Sequence, residues 1–151
     1  MNARLMSIRV NNNDKETWLD LPATEKEINC LEIRDGYTIT DSEYILLFEN
    51  ASINVLNYQA EGIVQLEGKH ADRGIDLDVL CEARKYFNDI TNEEFAEKIE
   101  NAKVVDIEEH REFPEVWEAE EVAAKYSELN KLDLSKYEPF YFEEIVVLVE
   151  K

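Results

Sequence analysis

Glycine and proline are scarce in this chain, four and three residues out of 151. So few glycines leave little for a phosphate-cradling loop, and no P-loop, GxGxxG run or GxSxG elbow occurs. Cysteine is limited to Cys30 and Cys81, far apart and in no metal or redox spacing, so reduced thiols in a cytoplasmic protein are expected. Both are expected on apolar helix faces as buried structural thiols, since neither has a visible His partner. Histidine is limited to His70 and His110. His110 sits among Glu108, Glu109 and Glu112, but zinc sites usually take more than one His or Cys at close spacing, so a solvated face is expected there. No apolar run approaches the ~20 residues of a membrane span, and MNARLMSIRV lacks the features of a secretory signal. Basic residues are short too: 16 Lys and Arg face 35 Asp and Glu, a formal net charge of −19. Nucleic acid and anionic membranes would both be repelled, which argues against either as a direct partner and points to a basic protein.

Hydrophobic residues are not in short supply. They make up 44% of the chain and include seven Tyr, six Phe and two Trp spread from end to end, enough for a folded core and unlike a disordered acidic tail. Ile8 and Val10, then Trp18, Leu19 and Leu21, predict two short strands joined by a polar hairpin loop, with Pro22 stopping the second. Thr24 and Glu27 in TEKE form a capping box for a short helix carrying Ile28 and Leu31, and Gly36 ends that unit. YTITDSEYILLFE, residues 37–49, suggests a third strand and room for a fourth.

Ser52 caps the next predicted helix, where Ile53, Leu56, Ala60 and Ile63 or Val64 recur at helical spacing; Gly62 is expected to weaken it. GKHADRG, residues 68–74, reads as a loop. Leu77, Leu80, Cys81, Arg84 and Phe87 mark another helix, and TNEE at 91–94 opens a third with Phe95 and Ile99 inward. VVDI at 104–107 suggests a short strand, Pro114 a helix start followed by Val116, Ala119, Ala123 and Tyr126, and FYFEEIVVLVE at 140–150 a closing strand. The expected fold is therefore α+β: a small antiparallel sheet with one helix over 1–50, a helical middle over 51–102, and a C-terminal strand–helix–strand unit over 103–151.

Catalytic and metal constellations are thin. Asp72, Asp76 and Asp78 around Gly74 fail the calcium-loop pattern and read better as a polar loop with an acidic helix start. No metal, cofactor or catalytic set is expected. What stands out is the placement of carboxylates: Glu93 to Glu121 holds twelve acids and three bases. At ~1.5 Å rise per residue, Glu93, Glu97 and Glu100 stand ~6 and ~4.5 Å apart along a helix face, and Glu115, Glu118 and Glu121 ~4.5 Å apart. B-DNA presents one charge per ~3.4 Å along each strand. Acidic solvated faces are common and often mean only solubility, so charge spacing alone leaves both a solvated face and an imitation of DNA open.

The stretch IRVNNNDKETWLDLPATEKEI resembles the opening of ArdA-type antirestriction proteins, through Trp18, Leu19, Asp20, Leu21, Pro22, Ala23, Thr24, Glu25 and Glu27. YTITDSE at 37–43 and Ser52, Ile53, Leu56 and Asn57 are similar to the family's next strand and helix start. The resemblance covers about the first 57 residues; the first hairpin loop is shorter and lacks the family's glycines, and only Tyr137, Phe140, Tyr141, Phe142 and Glu143 stand in for its C-terminal motif. The resemblance implies an elongated, non-enzymatic protein of a mobile genetic element, with three small domains in a row and a homodimer formed through the last. It further implies that the surface imitates bent DNA and occupies the DNA-binding groove of type I restriction–modification enzymes. The phosphate-mimicking acids would then be Asp41, Glu43, Asp76, Asp78, Glu93, Glu97, Glu100, Glu108, Glu109, Glu112, Glu115, Glu118 and Glu121. An anti-CRISPR inhibitor or an immunity protein capping a basic nuclease toxin would use the same charge logic; a small hydrolase is disfavoured by the missing nucleophile and base.

Overall fold

Met6, Ile8 and Val10 alternate with Ser7, Arg9 and Asn11, which gives the first strand, β1 (Met6–Asn12), one apolar face for a core. A computed structural model describes residues 6–12, 14–30, 37–106, 119–142 and 144–151. β1 is the centre of an antiparallel sheet of order β2-β1-β3, flanked by β2 (Lys15–Leu21) and β3 (Thr38–Glu43). β2 stops before Pro22, as expected. The Thr24–Glu27 capping box is present, with Glu27 N donating to Thr24 Oγ1 at 3.1 Å and Thr24 N to Glu27 Oε1 at 3.2 Å. It opens α1 (Glu25–Cys30), which buries no residue of its own; Ile28 is half-buried against the core and Cys30 is exposed. The expectation of a buried Cys30 is therefore corrected: so short a helix presents only one turn inward. The expected helix contact at Leu31 and the stop at Gly36 lie outside the described residues.

Residues 37–49 yield one strand. Tyr44 takes a left-handed backbone (φ 63°) and Ile45 N bonds back to Glu43 O at 2.8 Å, so the chain turns and Ile45 is buried as a plug rather than as part of a fourth strand.

The Ser52 side chain caps α2 (Ile53–His70) by accepting from Val55 N at 3.2 Å. This helix runs to His70, through half of the segment expected to be a loop; Ala71–Arg73 adds a 3-10 turn that closes at Gly74, whose φ of 86° favours glycine. Ile53, Leu56, Ala60, Ile63, Leu66 and His70 form the helix's buried stripe, while Val64 is exposed. α2 packs on β2, α3 (Leu77–Tyr86) and α4 (Asn92–Glu100).

The second sheet has order β4-β6-β5, all antiparallel, from β4 (Lys103–Asp106), β5 (Tyr137–Tyr141) and β6 (Ile145–Glu150). Its central strand is buried on both faces: Val147 and Val149 join the main core, whereas Val146 and Leu148 join Val105 and Ala123 under α5 (Ala119–Leu129). A strand covered on both sides reads as an unbroken apolar run. That is why 140–150 looks like one strand when a hairpin is present, its turn closed by Phe142 N to Ile145 O at 2.9 Å. Ala123 and Tyr126 face that second cluster as their spacing predicts; Pro114 and Val116 lie outside the described residues. The fold is α+β, and the main buried cluster extends from Met6 in β1 to Val149 in β6.

Candidate functional site

Thr91 opens α4 with a complete capping box, Glu94 N donating to Thr91 Oγ1 at 3.1 Å and Thr91 N to Glu94 Oε1 at 3.2 Å. Such a cap is worth ~1 kcal/mol, and Glu93 and Glu94 also complement the positive end of the helix dipole. Phe95 and Ile99 are the buried side. At about 100° per residue, Glu93, Glu97 and Glu100 fall within about 60° of one another on the opposite side. All three are exposed.

Two arginines hold this helix at its ends. Buried Arg84, 1% exposed, donates to Phe87 O at 2.6 Å, Ile90 O at 2.8 Å and Asn92 Oδ1 at 3.3 Å, with its guanidinium 5.1 Å from the Phe95 ring centre. Burial lowers its pKa, yet a guanidinium stays protonated. In a chain so rich in carboxylates, this buried cation is met by carbonyl groups. At the other end Arg73 donates to Ile99 O at 3.3 Å in the last turn and to Ala102 O at 2.8 Å just beyond it, which ties the helix end to the turn after α2.

Arg73 also bonds His70 Nδ1 at 2.9 Å, which makes that nitrogen the acceptor and places the ring proton on Nε2. His70 is 3% exposed, and burial first, then the Arg73 charge, hold its pKa below the ordinary value. Nε2 lies 3.4 Å from Glu100 Oε2 without hydrogen-bond alignment, so with a neutral imidazole the charge partner of Glu100 is Lys69, at 3.0 Å. The Lys69 hydrogen bond and charge lower the Glu100 pKa. Glu93 and Glu97 have no ion pair among the described residues.

The remaining proposed acids fall elsewhere. Asp41 and Glu43 are exposed on β3, an edge strand of the first sheet. Asp76 is half-buried and caps α3, accepting from Val79 N at 3.2 Å; that bond occupies one carboxylate oxygen in holding the helix start. Asp78 is exposed in the same first turn. Glu108, Glu109, Glu112, Glu115 and Glu118 lie outside the described residues, and Glu121 belongs to α5. Outside residues 119–122, no acid among the described residues is buried.

Among the described residues no group of three or more His, Cys, Asp or Glu is placed to hold a metal. The buried Cys81 thiol is pushed up to about 12, by burial first and then by Asp78, and is protonated at neutral pH. No described helix is long and apolar enough to cross a membrane.

Comparison with known protein families, curated proteins and solved structures finds no match.

Within the chain, the turn after β2 meets α2. Ala23 N donates to Asn57 Oδ1 at 2.6 Å and Asn57 Nδ2 to Ala23 O at 3.1 Å, so the LPATEKE turn is pinned to α2. Three structural features of the site have little local signature in the sequence: the carbonyl contacts of Arg84, the His70–Arg73 pair and the close approach of Gly62 to Asn92. Arg84 alone left a signal, as a charged residue on the apolar stripe of a predicted helix.

Proposed function

We propose that this chain is a non-enzymatic inhibitor that imitates DNA and occupies the DNA-binding groove of a type I restriction–modification enzyme. The observation that carries the reading is the α4 face, three exposed glutamates in a row on a helix fixed at both ends by arginine. Acids on a rigid element lose little conformational freedom when a basic groove closes on them. Exposure of Asp41, Glu43 and Asp78 supports it, as does the N-terminal resemblance. The same reading has the protein act in the cytoplasm as a homodimer, on a basic DNA-binding protein rather than on nucleic acid.

The test is displacement of a fluorescent DNA duplex from a purified type I methyltransferase at low salt. The intact chain should release the DNA, and the Glu93→Gln/Glu97→Gln variant should need several-fold more protein. Undisturbed DNA binding would overturn the reading. Displacement from a Cas nuclease, or capture of a basic nuclease toxin, would move the target to the anti-CRISPR or immunity class.

A further inference from the structure

Register fixes which side chains share the outer face of the first sheet. With Met6, Ile8 and Val10 inward, Ser7 and Arg9 belong to the other face of β1. Cross-strand partners share a face. Ser7 is opposite Asp20 on β2 and Glu43 on β3, and Arg9 is opposite Trp18 and Asp41. Two adjacent rows result, Asp20–Ser7–Glu43 and Trp18–Arg9–Asp41. Trp18 is 45% exposed.

Arg9 is the cation of these rows and is already engaged. Its Nε donates to Thr40 Oγ1 at 2.9 Å, its guanidinium lies 5.9 Å from the Trp18 ring centre, and one of its terminal nitrogens is 4.0 Å from Glu16. Asp20, Asp41 and Glu43 are exposed and have no ion-pair partner among the described residues. With strands ~4.8 Å apart, Asp20 and Glu43 flank the small Ser7 at roughly 10 Å from each other. A broad indole braced by its own arginine, sharing its sheet face with three carboxylates that have no ion pair among the described residues, differs from an ordinary solvated sheet face. Tryptophan concentrates binding energy at protein interfaces, and its ring face attracts cations.

We propose that this face docks a basic protein segment. Trp18 is the anchor, taking the flat side of an arginine or the stem of a lysine, and Asp20, Asp41 and Glu43 take the charges. Charge complementarity selects the occupant, because a second copy of this acidic chain would set carboxylates against carboxylates. The inference shares with the antirestriction reading a basic partner and the acids Asp41 and Glu43, but it rests on Trp18 and on a surface other than α4.

The test is a titration of the isotope-labelled full chain with nona-arginine peptide at low salt, with affinity read from the Trp18 indole N–H signal, which Trp18→Phe identifies. The Trp18 signal should shift saturably. Asp20→Asn/Glu43→Gln should weaken the affinity reported there about tenfold, while Glu93→Gln/Glu97→Gln, with the same charge removed from α4, should change it less than about twofold. Equal weakening by both double variants, or a Trp18 signal that does not respond, would overturn the proposal in favour of diffuse attraction. Methyltransferase displacement is measured separately. Its failure alongside a responsive Trp18 sinks the antirestriction reading and leaves the docking face standing.

Discussion

Gly62 on α2 and Asn92 at the start of α4 approach so closely that a Cβ on Gly62 would lie 2.6 Å from the Asn92 side chain. Asn92 cannot move freely. Its backbone N donates to Tyr58 Oη at 2.7 Å, its Nδ2 to Tyr58 O at 2.8 Å, and its Oδ1 accepts from Arg84 at 3.3 Å. Helix propensity alone would make Gly62→Ala stabilising by up to ~1 kcal/mol. The expected outcome has the opposite sign, a loss of about 1–3 kcal/mol from overpacking, checked by urea denaturation. A more stable variant would show that Asn92 shifts without cost.

Arg84→Met should destabilise the fold by about 3 kcal/mol, because the carbonyls of Phe87 and Ile90 lose their donor inside the protein. Arg84→Lys should recover little of it, since one ammonium cannot replace the planar fork that reaches three acceptors. Equilibrium unfolding of both variants checks this; full rescue by lysine would mean that charge alone matters at this site.

His70 sets a pH dependence whose sign follows from its neutral state. Its folded pKa lies below the ordinary 6.5, so the unfolded chain binds the proton more readily. The stabilising contribution is fully present above pH ~6.5 and is lost as pH falls from there through the folded pKa. Protonation would also put a donor on Nδ1 against Arg73. The groups around the ring are Arg73, Lys69, Asp72 and Glu100. Thermal melts between pH 5 and 8 should show Tm falling on the acid side of ~6.5, less steeply in His70→Gln. An identical slope in the variant would assign the effect to other groups.

Local signals in the sequence mark most element starts because caps act over three or four residues: Thr24, Ser52 and Thr91 each cap the helix expected of them. The Phe95–Ile99 spacing likewise shows which side of α4 is buried and so which side carries its glutamates. Signals that depend on distant partners were not legible. The Gly62–Asn92 contact, the Arg73 bonds to Ile99 and Ala102, and the doubly covered β6 all join residues far apart in the chain. Trp18 was legible as a strand residue, but its exposure depends on register across three strands.

If carboxylates such as Glu93 and Glu97 stand in for DNA phosphates, binding to a type I methyltransferase must weaken as salt rises. Calorimetric titrations from about 50 to about 200 mM salt should show affinity falling at least about tenfold, as expected when several charge contacts are screened and bound ions are released. Glu93→Gln/Glu97→Gln should flatten that dependence. An affinity indifferent to salt, or no binding at the lowest salt, would rule out phosphate mimicry.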